Sequence, residues 1–167
     1  MIQSTPVLLR VDARALTVLE RVLAAAAPQE GCALLLGEPA AVPLCDATQS
    51  SDATQPSGCT AAPLRLHRIW PCLNVWTPVA EREQRFAIDP REQLLAQKWG
   101  RQRGLQVIGA AHSHPRSAPV PSATDRQLCL APTLMAIRGQ EPAGPRLAFW
   151  WLEETGRPRQ LAWTMED

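Results

Sequence analysis

Leu105-Gln-Val-Ile-Gly-Ala-Ala-His-Ser-His-Pro-Arg-Ser-Ala-Pro-Val-Pro-Ser-Ala-Thr-Asp125 is the stretch from which the rest of the chain can be read. Its first seven residues form a short apolar run, the pattern of a buried strand. Residues i and i+2 of a strand point to the same side. His112 and His114 therefore leave one face together, at the end of the strand, close enough to share a metal ion. Asp125 is the nearest candidate for a third ligand. The same stretch also has a plain structural reading. Ser122-Ala-Thr-Asp125 is a helix start with a serine cap and an acid three residues on, and Pro115, Pro119 and Pro121 stiffen a loop. Both readings can hold at once, since a helix start can aim the Asp125 carboxylate at the histidines.

The chain has 167 residues, 46% hydrophobic and 20% charged, with a net charge of +1. This is the composition of one globular domain with a real core, spanning 1–167. The basic residues are scattered, and Lys98, Arg101 and Arg103 suit the solvated face of a helix, so no nucleic-acid surface is expected. No apolar run reaches the roughly 18 residues that span a bilayer, and the N-terminus lacks the pattern of a signal peptide. No membrane partner is expected, and the location expected is cytoplasmic. Cys32, Cys45, Cys59, Cys72 and Cys129 contain no Cys-x-x-Cys pair and read as free thiols in a reducing compartment.

Upstream, Pro6–Val11 reads as a strand, and Asp12 caps a helix over Ala13–Ala27 whose apolar face is Leu16, Leu19, Val22, Leu23 and Ala26. Cys32–Leu36 is a continuous apolar run, a buried strand, with Glu30 at its entrance. An exposed carboxylate in a helix-to-strand loop is the bland reading of Glu30. The segment 39–63 is rich in Ser, Thr, Ala and Pro without periodicity and reads as a long, flexible loop. Leu64–Cys72 alternates like a strand and carries His67, read as an ordinary surface or hydrogen-bonded histidine. Arg85–Asp89 reads as a short strand. Asp89, Pro90 and Glu92 then open a second helix that turns Leu94, Leu95 and Trp99 inward and stops at Gly104. A short helix after Asp125 and strands at Leu134–Arg138, Arg146–Glu153 and Arg159–Met165 complete the chain, the last two as a hairpin. One of Trp150 and Trp151 faces the core. The fold class is α/β (α+β), a mixed sheet with two main helices and a short one after the metal-binding loop.

Two imidazoles and a carboxylate suit a catalytic zinc, which takes three protein ligands and keeps one position open for water. Hydrolysis then needs a general base outside the ligand set and a donor for an oxyanion. Glu30 is the candidate base and Ser122 the candidate donor.

His112-Ser-His114, seven residues, Ser122, two residues and Asp125 resembles the JAMM motif of the MPN-type zinc metalloproteases, His-x-His-x7-Ser-x2-Asp, without a gap. Glu30-Gly-Cys-Ala-Leu-Leu-Leu-Gly37 resembles that family's upstream segment, with Ala33 where glycine is common. Asn74 and Phe86-Ala-Ile-Asp-Pro90 look like its prokaryotic branch. The resemblance implies an MPN-like domain with one zinc ion per chain on His112, His114 and Asp125. It implies Glu30 as base and proton shuttle, and Ser122 as oxyanion donor. It also implies peptide or isopeptide hydrolysis at the tail of a ubiquitin-like or sulfur-carrier protein. A catalytically inactive MPN-type scaffold that binds partner proteins is the alternative.

Overall fold

The computed structural model describes residues 6–38 and 63–167. Its elements are β1 (Leu8–Asp12), α1 (Ala13–Ala25), β2 (Cys32–Glu38), β3 (Leu64–Cys72), α2 (Pro90–Arg101), β4 (Gln106–Ser113), α3 (Ala123–Leu128), β5 (Thr133–Glu141), β6 (Gly144–Leu152), β7 (Pro158–Gln160) and β8 (Ala162–Glu166), with one 3-10 turn at Val79–Glu81. The expected loop at 39–63 lies outside the described residues apart from Pro63, as do Cys45 and Cys59. Among the described residues no helix is long and apolar enough to cross a membrane.

The strands form one mixed sheet in the order β7-β6-β5-β4-β2-β3-β1-β8. β7 and β8 stand at opposite ends of that order, yet only Leu161 joins them. The Leu161 N–H donates to Phe149 O of β6 at 2.9 Å. The two ends of the sheet must therefore nearly meet, and the sheet curls toward a barrel. This corrects the expected strand at Arg159–Met165. The chain breaks at Leu161 and crosses to the far edge, where β8 runs parallel to β1.

Each main helix forms for the reason its sequence gives. The Asp12 carboxylate accepts from the N–H groups of Arg14 and Ala15, closing the N-terminus of α1. Leu19 and Leu23 of α1 are buried in a core with Leu35, Leu66, Ala111 and Phe149, each leucine contributing about 1.5–3 kcal/mol by leaving water. α2 opens on Asp89, whose side chain accepts from Arg91 N, with Pro90 as first residue. Leu35 meets α1, while Gly100 of α2 packs against its neighbour Leu36. The two helices thus cover opposite faces of β2.

Two expectations fail here. Leu94 and Leu95 face solvent, 65% and 52% exposed, and Ala96 and Gly100 face the sheet instead. The small pair one turn apart lets the helix approach closely; a side chain on Gly100 would run into Leu105 O. Trp99 sits at the flank, edge-on to Trp70. Arg85–Asp89 is not a strand. Its backbone is held by Asn74 rather than by a ladder, through Arg85 O and Ala87 N. Trp151 is buried in the main core and Trp150 packs partly buried on a smaller cluster, as the doublet implied.

Candidate metal centre

β4 extends two residues beyond the apolar run and carries His112 inside the ladder, opposite Cys32 of β2. The pairing continues past the strand, with Ser113 N donating to Gly31 O at 3.0 Å and Gly31 N to Ser113 Oγ at 2.8 Å. Continuing that antiparallel register by one residue sets Glu30 against His114. The carboxylate and both imidazoles thereby share one face of the sheet, the face covered by α2. Glu30 is 5% exposed, so the solvent-exposed reading of this residue does not hold. Its backbone is fixed on both sides: Glu30 N donates to Arg82 O at 2.7 Å, and Asn74 Nδ2 donates to Glu30 O at 3.1 Å.

His114 is held by its main-chain N–H, which donates to Arg138 O at 2.8 Å, and by its ring. Nδ1 lies 3.0 Å from Ala118 O. A carbonyl only accepts, so Nδ1 carries the proton and Nε2 presents its lone pair. Asp125 arrives from α3. Ser122 Oγ accepts from Asp125 N at 3.1 Å, and Ser122 N donates to Asp125 Oδ2 at 2.7 Å. This capping box closes the N-terminus of α3 and aims the carboxylate back across the strand end. The cap reading of Asp125 thus holds, and the same geometry turns its carboxylate toward the histidines.

The three side chains converge. His112 Nε2 and His114 Nε2 are 3.0 Å apart. Asp125 Oδ1 lies 3.3 Å from His112 Nε2, and Oδ2 3.4 Å from His114 Nε2. Donors bound tetrahedrally to one ion at about 2.0–2.1 Å stand roughly 3.3 Å apart, so these separations suit zinc. Among the described residues this is the group of three that could hold a metal ion. The donor chemistry fits as well, because two imidazole nitrogens facing each other beside a carboxylate are what a cation satisfies.

The electrostatics follow from the burial. Burial pushes the Asp125 carboxyl up, but its contacts with His112 and His114 outweigh that and hold it well below the usual carboxylate range. Burial pulls His112 down, against the raising effect of Asp125, which favours the neutral imidazole that metal binding requires. Burial likewise acts downward on His114, yet the Asp125 contact and the Ala118 carbonyl raise it on balance. Glu30 is pushed up to about 7, first by burial, against the pull of His114 and with the push of Asp125. A carboxylate near neutral pKa beside a candidate metal centre can both take and give a proton.

A groove of about 510 Å³ takes in His112, Asp125 and much of β4, and its lining includes Phe86, Ile88, Leu128 and Leu130. The Phe86 ring stacks on His112, centroids 4.5 Å apart and planes 18° from parallel. Phe86 and Asn74 were noted in the sequence as part of a motif only. Their contacts here are long-range, and nothing in local spacing announces them. Ala118, the partner of His114 Nδ1, carries no sequence signal because its backbone does the work. His67 stands apart on β3, 3.4 Å from Glu38. Cys32, Cys72 and Cys129 are free thiols.

The chain is similar to several known proteins. Over 83 residues the chain is 33% identical to a protein named desampylase from Haloferax volcanii. That match takes in 50% of this chain and 59% of the relative's length. A solution structure of a protein from Desulfitobacterium hafniense superimposes with a TM-score of 0.70 at 24% identity, covering 95% of this chain and 93% of that one. A second, from Salinibacter ruber, gives a TM-score of 0.57 at 22% identity over 93% of this chain and 91% of that one. These two establish likeness of fold. The family described as prokaryotic homologs of the JAB domain matches residues 12–153, most of the chain including every residue of the centre, and to that family the chain belongs.

Proposed function

We propose that the chain is a zinc-dependent peptidase or isopeptidase. Its proposed reaction is hydrolysis of a peptide or isopeptide bond at the C-terminal tail of a ubiquitin-like or sulfur-carrier protein. The observation that carries this reading is the convergence of His112, His114 and Asp125 within 3.0–3.4 Å, with a buried Glu30 on the adjoining strand end. Family membership supports the metalloprotease class. The relative named desampylase supports a ubiquitin-like substrate.

His112 and His114 through Nε2, and Asp125 through its carboxylate, would hold the ion. A bound zinc supplies a Lewis acid and brings the pKa of water to about 7. Glu30 accepts the proton of the attacking water and delivers it to the leaving amine nitrogen; a carboxyl titrating near 7 suits both halves of that task. Ser122 Oγ accepts from Asp125 N, which leaves its own proton free to donate to the carbonyl oxygen as negative charge builds there. The apolar walls of the groove hold the substrate tail and keep water from competing. The whole chain acts as one JAMM/MPN-like domain, placed by this reading in the cytoplasm, where its thiols stay reduced.

The test is metal analysis of the purified protein together with cleavage of a ubiquitin-like protein bearing a C-terminal extension. The expected result is one zinc per chain, cleavage at the end of the tail, loss of cleavage with a chelator and recovery with zinc. A zinc-loaded protein that binds such a substrate and never cuts it contradicts the reading and describes a scaffold.

A further inference from the structure

The two histidines of the centre are not supported alike. His114 is oriented by a hydrogen bond from Nδ1 to Ala118 O, the common way of fixing a ligand's tautomer and ring plane. His112 is fully buried, and its Nδ1 is among the buried polar atoms that find no hydrogen-bond partner. With Nε2 turned toward His114 and Asp125, no polar group among the described residues holds the far side of the ring. What does lie against the ring is Phe86, stacked nearly parallel at 4.5 Å.

Phe86 is itself mounted. The carbonyl before it, Arg85 O, accepts from Asn74 Nδ2 at 2.9 Å, and the N–H after it, Ala87 N, donates to Asn74 Oδ1 at 3.2 Å. A second Nδ2 proton goes to Glu30 O at 3.1 Å, and Oδ1 also accepts from Trp76 N at 3.0 Å. Val75 N donates to Ala87 O at 2.9 Å and closes the same loop. One amide side chain therefore ties the backbone of Glu30 to the backbone on either side of Phe86. The segment from 74 to 88 has no ladder of its own to fix it.

We propose that Phe86, mounted on Asn74, is the positioning residue for His112. Stacking on the ring replaces the missing Nδ1 hydrogen bond and sets the plane in which Nε2 faces the metal. This inference rests on the metal centre proposed above. An aromatic face restricts ring tilt as a hydrogen bond would, and an offset, nearly parallel pair is a favoured geometry. Phe86 is half-buried, so its truncation opens no cavity in the core. Aliphatic bulk at 86 keeps the wall of the groove but supplies no ring face. An aromatic substitute supplies both.

The experiment compares zinc affinity, by competition with a chromophoric chelator, and the visible absorption of the cobalt(II)-substituted protein. It uses the wild type, Phe86→Leu, Phe86→Met, Phe86→Tyr and Asn74→Ala, with melting of the metal-free proteins alongside. The expected result is about 10-fold weaker zinc binding or more in Phe86→Leu and Phe86→Met, with an altered cobalt spectrum. Phe86→Tyr should restore both, and Asn74→Ala should weaken binding in the same direction. Leucine or methionine variants that bind zinc as the wild type does overturn the inference. So does a tyrosine variant that fails as badly as leucine, since bulk or packing is then what matters. A wild-type chain that takes up no zinc overturns the metal centre and this inference together. Wild-type binding with unaffected variants overturns the inference alone.

Discussion

Glu30 is the residue whose environment departs furthest from what its type leads one to expect. A glutamate in a helix-to-strand loop is ordinarily solvated, and this one is 5% exposed with a carboxyl pushed up to about 7 by burial. Between about pH 4.5 and 7 the folded chain holds a proton there that the unfolded chain releases. Stability of the metal-free protein from this group is therefore lost as pH rises through that window. Glu30→Gln should raise the stability of the metal-free protein at pH 8 by roughly 1–3 kcal/mol and leave it unchanged near pH 4. Thermal denaturation at the two pH values checks this, and an equal effect at both would contradict the buried, protonated carboxyl. The pattern of His112, His114, Ser122 and Asp125 was legible in the sequence because a strand end and a helix start keep it local. Glu30 was legible only as a position. Its burial depends on β2 pairing with β4, a contact 82 residues away in the chain.

At the scale of elements, the site rests on how the loop between β4 and α3 is pinned to its neighbours. Gln140 N donates to Ser117 O at 2.7 Å, and Trp150 Nε1 donates to Pro119 O at 2.9 Å. Gly139 of β5 leaves the space this loop occupies: a Cβ there would sit 2.4 Å from Pro119 N and 2.6 Å from Ser117 O. Gly139→Ala should cost about 1–3 kcal/mol of stability by displacing backbone. It should also weaken zinc binding, although residue 139 touches no ligand, because residue 118 supplies the carbonyl that holds His114. Chelator competition on the folded variant measures the second effect; unchanged affinity would mean the loop does not govern His114. The elements themselves were largely readable: α1 from its cap and apolar face, β2 and β4 from their continuous runs, β3 from its alternation. The face of α2 was not. Leu94 and Leu95 obey an amphipathic pattern, but the close approach permitted by Ala96 and Gly100 wins. The break at Leu161 was hidden because Arg159–Met165 has strand-forming composition throughout, and only the curl of the sheet sends its two halves to opposite edges.

For the whole molecule, the curled sheet brings chain segments far apart in sequence to one end of β4, where an ion on the proposed ligands would tie them together. β4 supplies two donors and α3 one, with the Glu30 turn beside them. A ligand that binds only the folded state stabilises it by about 2.7 kcal/mol at a hundredfold excess over Kd. For a chain of this size, zinc at that level should raise Tm by roughly 5–10 °C, and a chelator should reverse the rise. Scanning calorimetry with and without zinc checks it, and a Tm indifferent to zinc would contradict a centre that spans several elements. The mixed α/β class followed from the alternation of strands and helices, whereas the near-closure of the sheet did not, since it depends on a single connecting residue.

In the proposed reaction three residues hold zinc while Glu30 moves the proton. Its most direct test is the cleavage rate of a C-terminally extended ubiquitin-like protein by wild type and Glu30→Gln at matched zinc content. One zinc per chain in both proteins and a rate at least 10²-fold lower in the variant are expected. Equal rates at equal zinc would contradict the proposed reaction.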